Sequence, residues 1–381
     1  MNITILRGAN LNQWEMQNYT PLAKLHSIKA VVAGSGRFNS TNIGIPVDHS
    51  LSPIDLAQKV PGGVLALKFI IGDPVYYFGL EKHLAGCDII HTAETYTAYT
   101  AQALKYKKKS PKTKVVATVW ENIPFAHERF APEKKNKEQA IGMVDLFLAM
   151  SQKAKQALIA EGVNPAKILV QMPGIDINRF SPQEKDLTIL HQHNISSDSK
   201  IILTIARNVW EKGIDDLILA VKLLLPENPN VHLIVIGNGP QHTSLQKLAK
   251  KLNIHDRVLF LKKVSYAQMS KYHNLADLFV LSSKPTPKWQ EQFGMVLIES
   301  MACQKCVIST TSGSIPEVIG AAGVLIPSAN HFKLKDAIVG LLRDDKQRIQ
   351  IASQARQRAL DKFDCRKVAK AINDIYESIT S

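Results

Sequence analysis

Short apolar runs recur along the chain, separated by longer segments that are apolar on one side only. In the second half, the runs at 201–206, 231–236, 258–261, 278–281, 307–309 and 324–326 are rich in Val, Ile and Leu without regular polar alternation. A short run with no polar alternation is a strand buried on both faces, and helical spacing between such runs makes a parallel, doubly wound sheet. The first half repeats the pattern less cleanly, with strands expected at 2–6, 28–33, 88–91, 115–119, 145–150 and 167–171. Helices are expected over 14–25, up to about residue 106, and over 152–161, the last capped by Ser151 and stopped by Gly162. A turn is expected at Gly34-Ser35-Gly36, and a final helix over 366–378. Residues 37–75 carry Gly44, Pro46, Pro53, Pro61, Gly62 and Gly63 and give no assignable pattern.

At 381 residues the chain exceeds one usual core, so two α/β domains are expected. No apolar run of membrane-spanning length is present, and the first residues, Met1-Asn2-Ile3-Thr4-Ile5-Leu6, read as a strand and not as a secretion signal. Four cysteines are too few for a disulfide framework in a chain of this length and point to a reducing, cytoplasmic setting. Cys303 and Cys306 lie at a helix-to-strand junction without a second pair, so buried small side chains explain them better than a metal.

The formal net charge of +14 implies an anionic partner. Its densest source is the run 105–114, with Lys134, Lys135 and Lys137 further on. Such a run is usually a solvated face; peripheral contact with an anionic membrane is the functional alternative and nucleic acid is not expected, and no amphipathic helix with exposed Trp or Phe is read beside it.

One stretch concentrates chemistry. In Trp289-Gln290-Glu291-Gln292-Phe293-Gly294-Met295-Val296-Leu297-Ile298-Glu299, the apolar run after Gly294 reads as a helix. Glu291 then precedes the helix, and Glu299 lies about one turn inside it. The free N–H groups of Gly294, Met295 and Val296 suit a phosphate, with one carboxylate on each side for sugar hydroxyls and a ribose diol. By spacing alone, two surface glutamates on a solvated helix would serve as well.

The wider context resembles the retaining GT-B glycosyltransferases of family 4. The resemblance rests on Glu291 to Glu299 followed by Ser312-Gly313-Ser314-Ile315-Pro316-Glu317, on Ala206-Arg207 with Lys212-Gly213, on Gly237-Asn238-Gly239, and on Gly174-Ile175-Asp176 with Phe180-Ser181-Pro182. It covers most of residues 145–381 and is thinner before them. It implies two Rossmann-like domains facing across a cleft, residues 1–180 on the acceptor side and 181–363 on the donor side, with a terminal helix at 364–381 crossing back to the first. It implies transfer of a sugar from a UDP- or GDP-sugar to a glycan or lipid-linked acceptor, without a metal or other cofactor. A nucleotide-sugar 2-epimerase on a related fold, or a non-enzymatic anion-binding protein, would be the alternatives.

By the same resemblance Arg207 and Lys212 clamp the diphosphate, Glu291 holds sugar hydroxyls, and Glu299 holds the ribose. The backbone at Phe293, Gly294, Met295 and Val296, with Gly237, Lys263 and Val264, completes the donor site. In the first domain, Gly8 and Asn10 stand where relatives have a glycine-rich loop. His91, read at a strand end, and Glu94 lie near the expected crevice. Trp120 occupies the place of a usual histidine, which leaves Glu121 and Asn122 as candidates. Gln304 stands where glycine is usual and must take a helix-ending conformation.

Overall fold

The computed structural model describes residues 1–381 except 35, 37, 39–42, 72 and 74. Ser35 of the expected turn lies outside the described residues. The chain forms two compact units, Met1–Ile175 with Cys365–Ser381, and Asp176–Asp364.

The first unit holds strands β1 (Asn2–Leu6), β2 (Ser27–Ala33), β3 (Val47–Ser50), β4 (Ile89–Ala93), β5 (Lys114–Val119), β6 (Leu146–Ala149) and β7 (Ile168–Val170). Between them run α1 (Gln13–Met16), α2 (Pro53–Ala57), α3 (Gly63–Ile71), α4 (Leu80–Leu84), α5 (Ala98–Lys109), α6 (Ala131–Met143) and α7 (Gln152–Ala160). The strand order is β3-β2-β1-β4-β5-β6-β7, parallel throughout. The order reverses between β1 and β4, so a crevice opens past their carboxyl ends. The terminal helix, Cys365–Thr380, belongs to this unit and buries Val368, Ala369, Ile372 and Tyr376 against Ile3, Ile5 and Leu148. Those positions recur at helical spacing, which makes one apolar stripe.

Several expectations change here. The helix expected over 14–25 is broken into α1 and a 3-10 turn at Thr20–Lys24, because Pro21 lacks the N–H that a continuing helix needs. Residues 37–75 are not featureless: β3, α2 and α3 fall within them. β4 runs past His91 to Ala93, since Thr92 and Ala93 pair with Ala117 and Thr118 of β5, and the buried Thr92 hydroxyl finds a partner 2.7 Å away in that of Thr100. The basic run 105–114 is not one free cluster either. Lys107 bonds the carbonyl of Met143 and the Asp145 carboxylate, and Lys109 pairs with Glu81 at 2.7 Å.

The second unit holds β8 (Lys200–Ile205), β9 (Val231–Ile236), β10 (Val258–Leu261), β11 (Leu278–Leu281), β12 (Cys306–Thr310) and β13 (Val324–Ile326). Its helices are α8 (Leu187–Gln192), α9 (Ile214–Leu224), α10 (His242–Lys251), α11 (Met269–Leu275), α12 (Met295–Ala302), α13 (Ile315–Ile319), α14 (His331–Arg343) and α15 (Asp345–Lys362). The sheet, ordered β10-β9-β8-β11-β12-β13, is parallel and reverses between β8 and β11. Its core joins Ile202, Leu233, Val280 and Ile308 of the strands to Leu217, Leu224 and Ile338 of the helices. Gln304 has φ 56, the left-handed conformation that its place after α12 demands. All four cysteines are buried and free, and no helix of the described residues is long and apolar enough to cross a membrane.

Candidate functional site

In the second unit the candidate residues gather where β8 and β11 end, at the reversal of strand order. β8 delivers Arg207 and Lys212 in the loop before α9. Lys212 directs Nζ to Glu291 Oε2 at 2.6 Å, and the Ser283 hydroxyl donates to the same oxygen at 2.7 Å. Lys212 also lies over the Trp289 ring, 4.9 Å from its centroid. Glu291 is buried at 7 % exposure, so its charge must be matched locally, and Lys212 matches it. Arg207 is exposed and has no ion pair among the described residues. One cation is therefore engaged and the other faces solvent.

The backbone of Glu291 is fixed by the Ser312–Ser314 segment. Its N–H donates to Ser312 Oγ at 3.3 Å, and its carbonyl accepts from the Ser314 N–H at 2.9 Å. Gly313 has φ 57, and a Cβ there would sit 1.9 Å from the Glu291 carbonyl oxygen. Only glycine permits that approach. Gly294 caps α12 with φ 90, and the first bond of the helix start runs from the Leu297 N–H to the Gly294 carbonyl. The N–H groups of Met295 and Val296 thus precede the hydrogen-bonded part of the helix. Phe293 is buried edge-on to Phe363 and anchors this corner.

Glu299 lies inside α12 at 4 % exposure, with Oε2 3.4 Å from Nε2 of the buried His273. Gly237 follows β9, its N–H bonded to the Leu261 carbonyl. Lys263 is exposed and Val264 half-buried in the loop after β10. Sequence reasoning missed two supports. Asn208, wholly buried, bonds the Gly237 carbonyl and His242 Nδ1. Lys284, buried, reaches Asp215 at 2.8 Å and Asp216 at 3.1 Å, while its N–H holds the Glu211 carbonyl. A lysine directly after the Ser282-Ser283 pair that follows β11 was the available signal.

The first unit gathers a second set. Gly8 (φ 58) lies under Tyr99 and Val75, and Asn10 is exposed in the following turn. His91 is corrected: it stands mid-strand, fully buried, with Nδ1 on the Tyr376 hydroxyl and Nε2 2.7 Å from Thr118 Oγ1. Burial and the adjacent Arg7 guanidinium hold it well below the usual histidine range, so it is a neutral core residue. Arg7, also missed, is buried with Glu15 at 2.6 Å and the Tyr19 hydroxyl at 2.9 Å.

Glu94, just past β4, has φ 62 and accepts the Trp120 N–H at 2.9 Å. Its Oε2 is buried without a hydrogen-bond partner, and burial pushes its carboxyl up to about 7. Tyr96 stacks on His127 at 3.8 Å. Glu121 accepts the N–H groups of Asn122 and Ile123 and lies 3.3 Å from His127 Nε2. Burial opposes its charge, but those bonds outweigh it and hold Glu121 below the usual carboxylate range. Glu121 thereby shapes its own loop, with Asn122 buried beside it.

The profile described as Glycosyl transferases group 1 matches residues 186–358, and that of Glycosyltransferase Family 4 matches residues 49–179. The chain belongs to glycosyltransferase family 4. This family 4 chain is 31 % identical over 199 residues to N-acetyl-alpha-D-glucosaminyl L-malate synthase of Bacillus anthracis, covering 51 % of the chain and 50 % of the relative. It is 26 % identical over 212 residues to a GDP-mannose-dependent phosphatidylinositol monomannoside mannosyltransferase of Mycolicibacterium smegmatis, covering 54 % and 56 %. The chain spans about half the length of these curated relatives. Its fold is that of the GT-B glycosyltransferases. The crystal structure of Anabaena HepE in complex with UDP-glucose superposes with a TM-score of 0.81 at 20 % identity, covering 99 % of this chain and 100 % of that one.

Proposed function

We propose that the protein is a retaining, metal-independent glycosyltransferase that moves a sugar from a UDP- or GDP-sugar to a glycan or lipid-linked acceptor. The observation that carries this reading is the pairing of Lys212 with Glu291 just before α12, with Arg207 exposed in the same loop after β8. Arg207 and Lys212 neutralise the charge that grows on the departing diphosphate. Lys212 is then shared between the diphosphate and Glu291, and the N–H groups of Met295 and Val296 add donors to the same phosphate. Glu291, held by Ser283 and Ser312, orients hydroxyls of the transferred sugar. Glu299, set by His273, meets the ribose.

No side chain here is placed as a nucleophile. The C1–O bond to the diphosphate breaks as the acceptor oxygen bonds C1 on the same face, and the leaving phosphate oxygen takes the acceptor proton. Glu94 and Asn122, with Tyr96 and His127, are the acceptor-side contacts of this reading. One relative named as GDP-mannose-dependent, and a structural neighbour holding UDP-glucose, support a nucleotide-sugar donor. The test is incubation with UDP- and GDP-sugars and a panel of acceptors, followed by NMR of the product. The expected result is a new glycosidic bond with the anomeric configuration of the donor. An inverted product, a 2-epimerised nucleotide sugar, or no turnover with any donor would refute it.

A further inference from the structure

Two loops meet past the carboxyl ends of the neighbouring strands β8 and β11, and each supplies a tryptophan to a lysine of the other. Lys212, after β8, lies over the Trp289 ring at 4.9 Å, and Lys284, after β11, lies over the Trp210 ring at 5.1 Å. The two backbones are tied as closely. The Ser282 hydroxyl donates to the Gly213 carbonyl at 2.8 Å, the Lys284 N–H donates to the Glu211 carbonyl at 2.7 Å, and a Cβ on Gly213 would stand 2.0 Å from the Ser282 carbonyl oxygen. The pairs differ in what else holds each lysine. Lys284 is met by two carboxylates, Asp215 and Asp216. Lys212 is met by Glu291, the carboxylate that the proposed donor site needs for sugar hydroxyls.

The local sequence fixes the Trp289 ring. Pro285-Thr286-Pro287-Lys288 precedes it, and two prolines leave the segment few conformations to lose on folding. Thr286 and Trp289 close it as a turn: the Thr286 N–H donates to the Trp289 carbonyl at 2.6 Å, and the Trp289 N–H returns to the Thr286 carbonyl at 3.3 Å. The indole is thereby set half-buried beside Lys212, whose side chain is 14 % exposed. A lysine stem is flexible, and its ammonium carries three donors. The face of an indole attracts that cation but offers it no lone pair. The ring therefore orients Lys212, and the donors that Glu291 does not take remain for a ligand.

We propose that Trp289 is a positioning residue for the donor diphosphate, its ring holding the Lys212 ammonium beside Glu291 with donors still open to the departing phosphate. The inference rests on the donor site proposed above. Glu291 marks the sugar end of that site, so the lysine beside it meets the distal, sugar-bearing phosphate. Without the ring the stem is free to turn Nζ wholly onto Glu291, which takes a cation from the phosphate and a carboxylate from the sugar together. Leucine at 289 keeps apolar bulk and loses the attraction, whereas phenylalanine keeps an attracting face. The loss falls on the distal phosphate, which a nucleoside monophosphate lacks.

The experiment is calorimetric titration of the full chain with UDP, GDP, UMP and GMP, for the wild type, Trp289→Leu, Trp289→Phe and Trp210→Leu. The wild type should bind one diphosphate more tightly than the matching monophosphate. Trp289→Leu should weaken that diphosphate about tenfold and leave the monophosphate within about twofold, while Trp289→Phe stays within about threefold of the wild type for both. Trp210→Leu, which takes the matching ring from Lys284, should leave the ratio of the two affinities unchanged. Thermal melts establish that the variants stay folded. Should Trp289→Leu unfold, indole emission decides: saturation with the diphosphate should shift the emission of the wild type and not that of Trp289→Phe. An undiminished ratio in Trp289→Leu, an equal loss of both nucleotides, a ratio that falls as far in Trp210→Leu, or the same emission shift in Trp289→Phe would overturn the role of Trp289 and leave the donor site standing. A wild type that binds neither UDP nor GDP would overturn the donor site and this role with it.

Discussion

Replacing Glu94 by Gln tests how the acceptor-side set is built. In the folded chain the Glu94 carboxyl, pushed up by burial and by the nearby charge of Glu121, titrates at about 7 against an ordinary 4.5. The folded state therefore binds more protons than the unfolded state between those two values. A raised carboxyl is a stability cost that is absent at low pH and grows as pH rises through that window. From about 4.5 to about 7, at about 1.4 kcal/mol per unit, the full cost is roughly 3 kcal/mol. Gln keeps the side-chain oxygen that accepts the Trp120 N–H but cannot ionise. The variant should thus gain about 2.5 kcal/mol on the wild type between pH 5 and pH 8, where most of that cost develops, or roughly 5–10 °C in melting temperature for a unit of this size. Asp73, raised by burial to about 6, acts with the same sign in both proteins and cancels in the difference. Thermal melts of both proteins at the two pH values give the answer. A stability gap that does not change with pH, or a variant that loses ground at pH 8, would refute the reasoning.

Other expectations follow from the donor-side geometry. Glu291→Gln removes the charge that Lys212 matches, and should lower turnover by about tenfold or more while nucleoside-diphosphate affinity changes little, measured by steady-state kinetics beside calorimetry. Glu299→Gln should do the opposite, raising the dissociation constant of the nucleotide about tenfold, in the same calorimeter. Gly313→Ala, with its Cβ driven onto the Glu291 carbonyl, should destabilise the fold by roughly 2–4 kcal/mol in a thermal melt. Activity should survive EDTA, and full loss restored by Mn²⁺ or Mg²⁺ would contradict the metal-free clamp.

The second sheet was legible because its inner strands are buried on both faces and its edge strands, though half-buried, are as apolar. A short, dominantly apolar run is then the whole signal, and residues 231–236 and 258–261 are strands as read. Where tertiary contacts substitute for apolar character, the pattern failed. Thr92 and Ala93 continue β4 through pairing with β5, with Thr100 satisfying the buried Thr92 hydroxyl, and a polar Thr in the run misplaced His91 at a strand end. Helix α3 was invisible because helices are sought by one polar face, and this one presents apolar residues to solvent. At the donor site, residue types and spacing pointed to Glu291 and Lys212 separately. Their ion pair needed the third dimension, since β8 and β11 are neighbours in the sheet but distant in the chain. The left-handed backbone at Glu94 and His127 carries no sequence signal.

The account rests on the loop end of β8 and the start of α12 forming one nucleotide-sugar site. The most direct measurement is a thermal-shift titration of the wild type and Arg207→Ala against UDP, GDP and their sugars. One nucleoside diphosphate family should stabilise the wild type in a concentration-dependent way, by about 2.7 kcal/mol at a hundredfold excess over its dissociation constant. Arg207→Ala, which loses an exposed cation and no internal ion pair, should melt as the wild type does without ligand and lose most of that shift. A wild type that none of these nucleotides stabilises, or an Arg207→Ala variant stabilised to the same extent, would contradict the account.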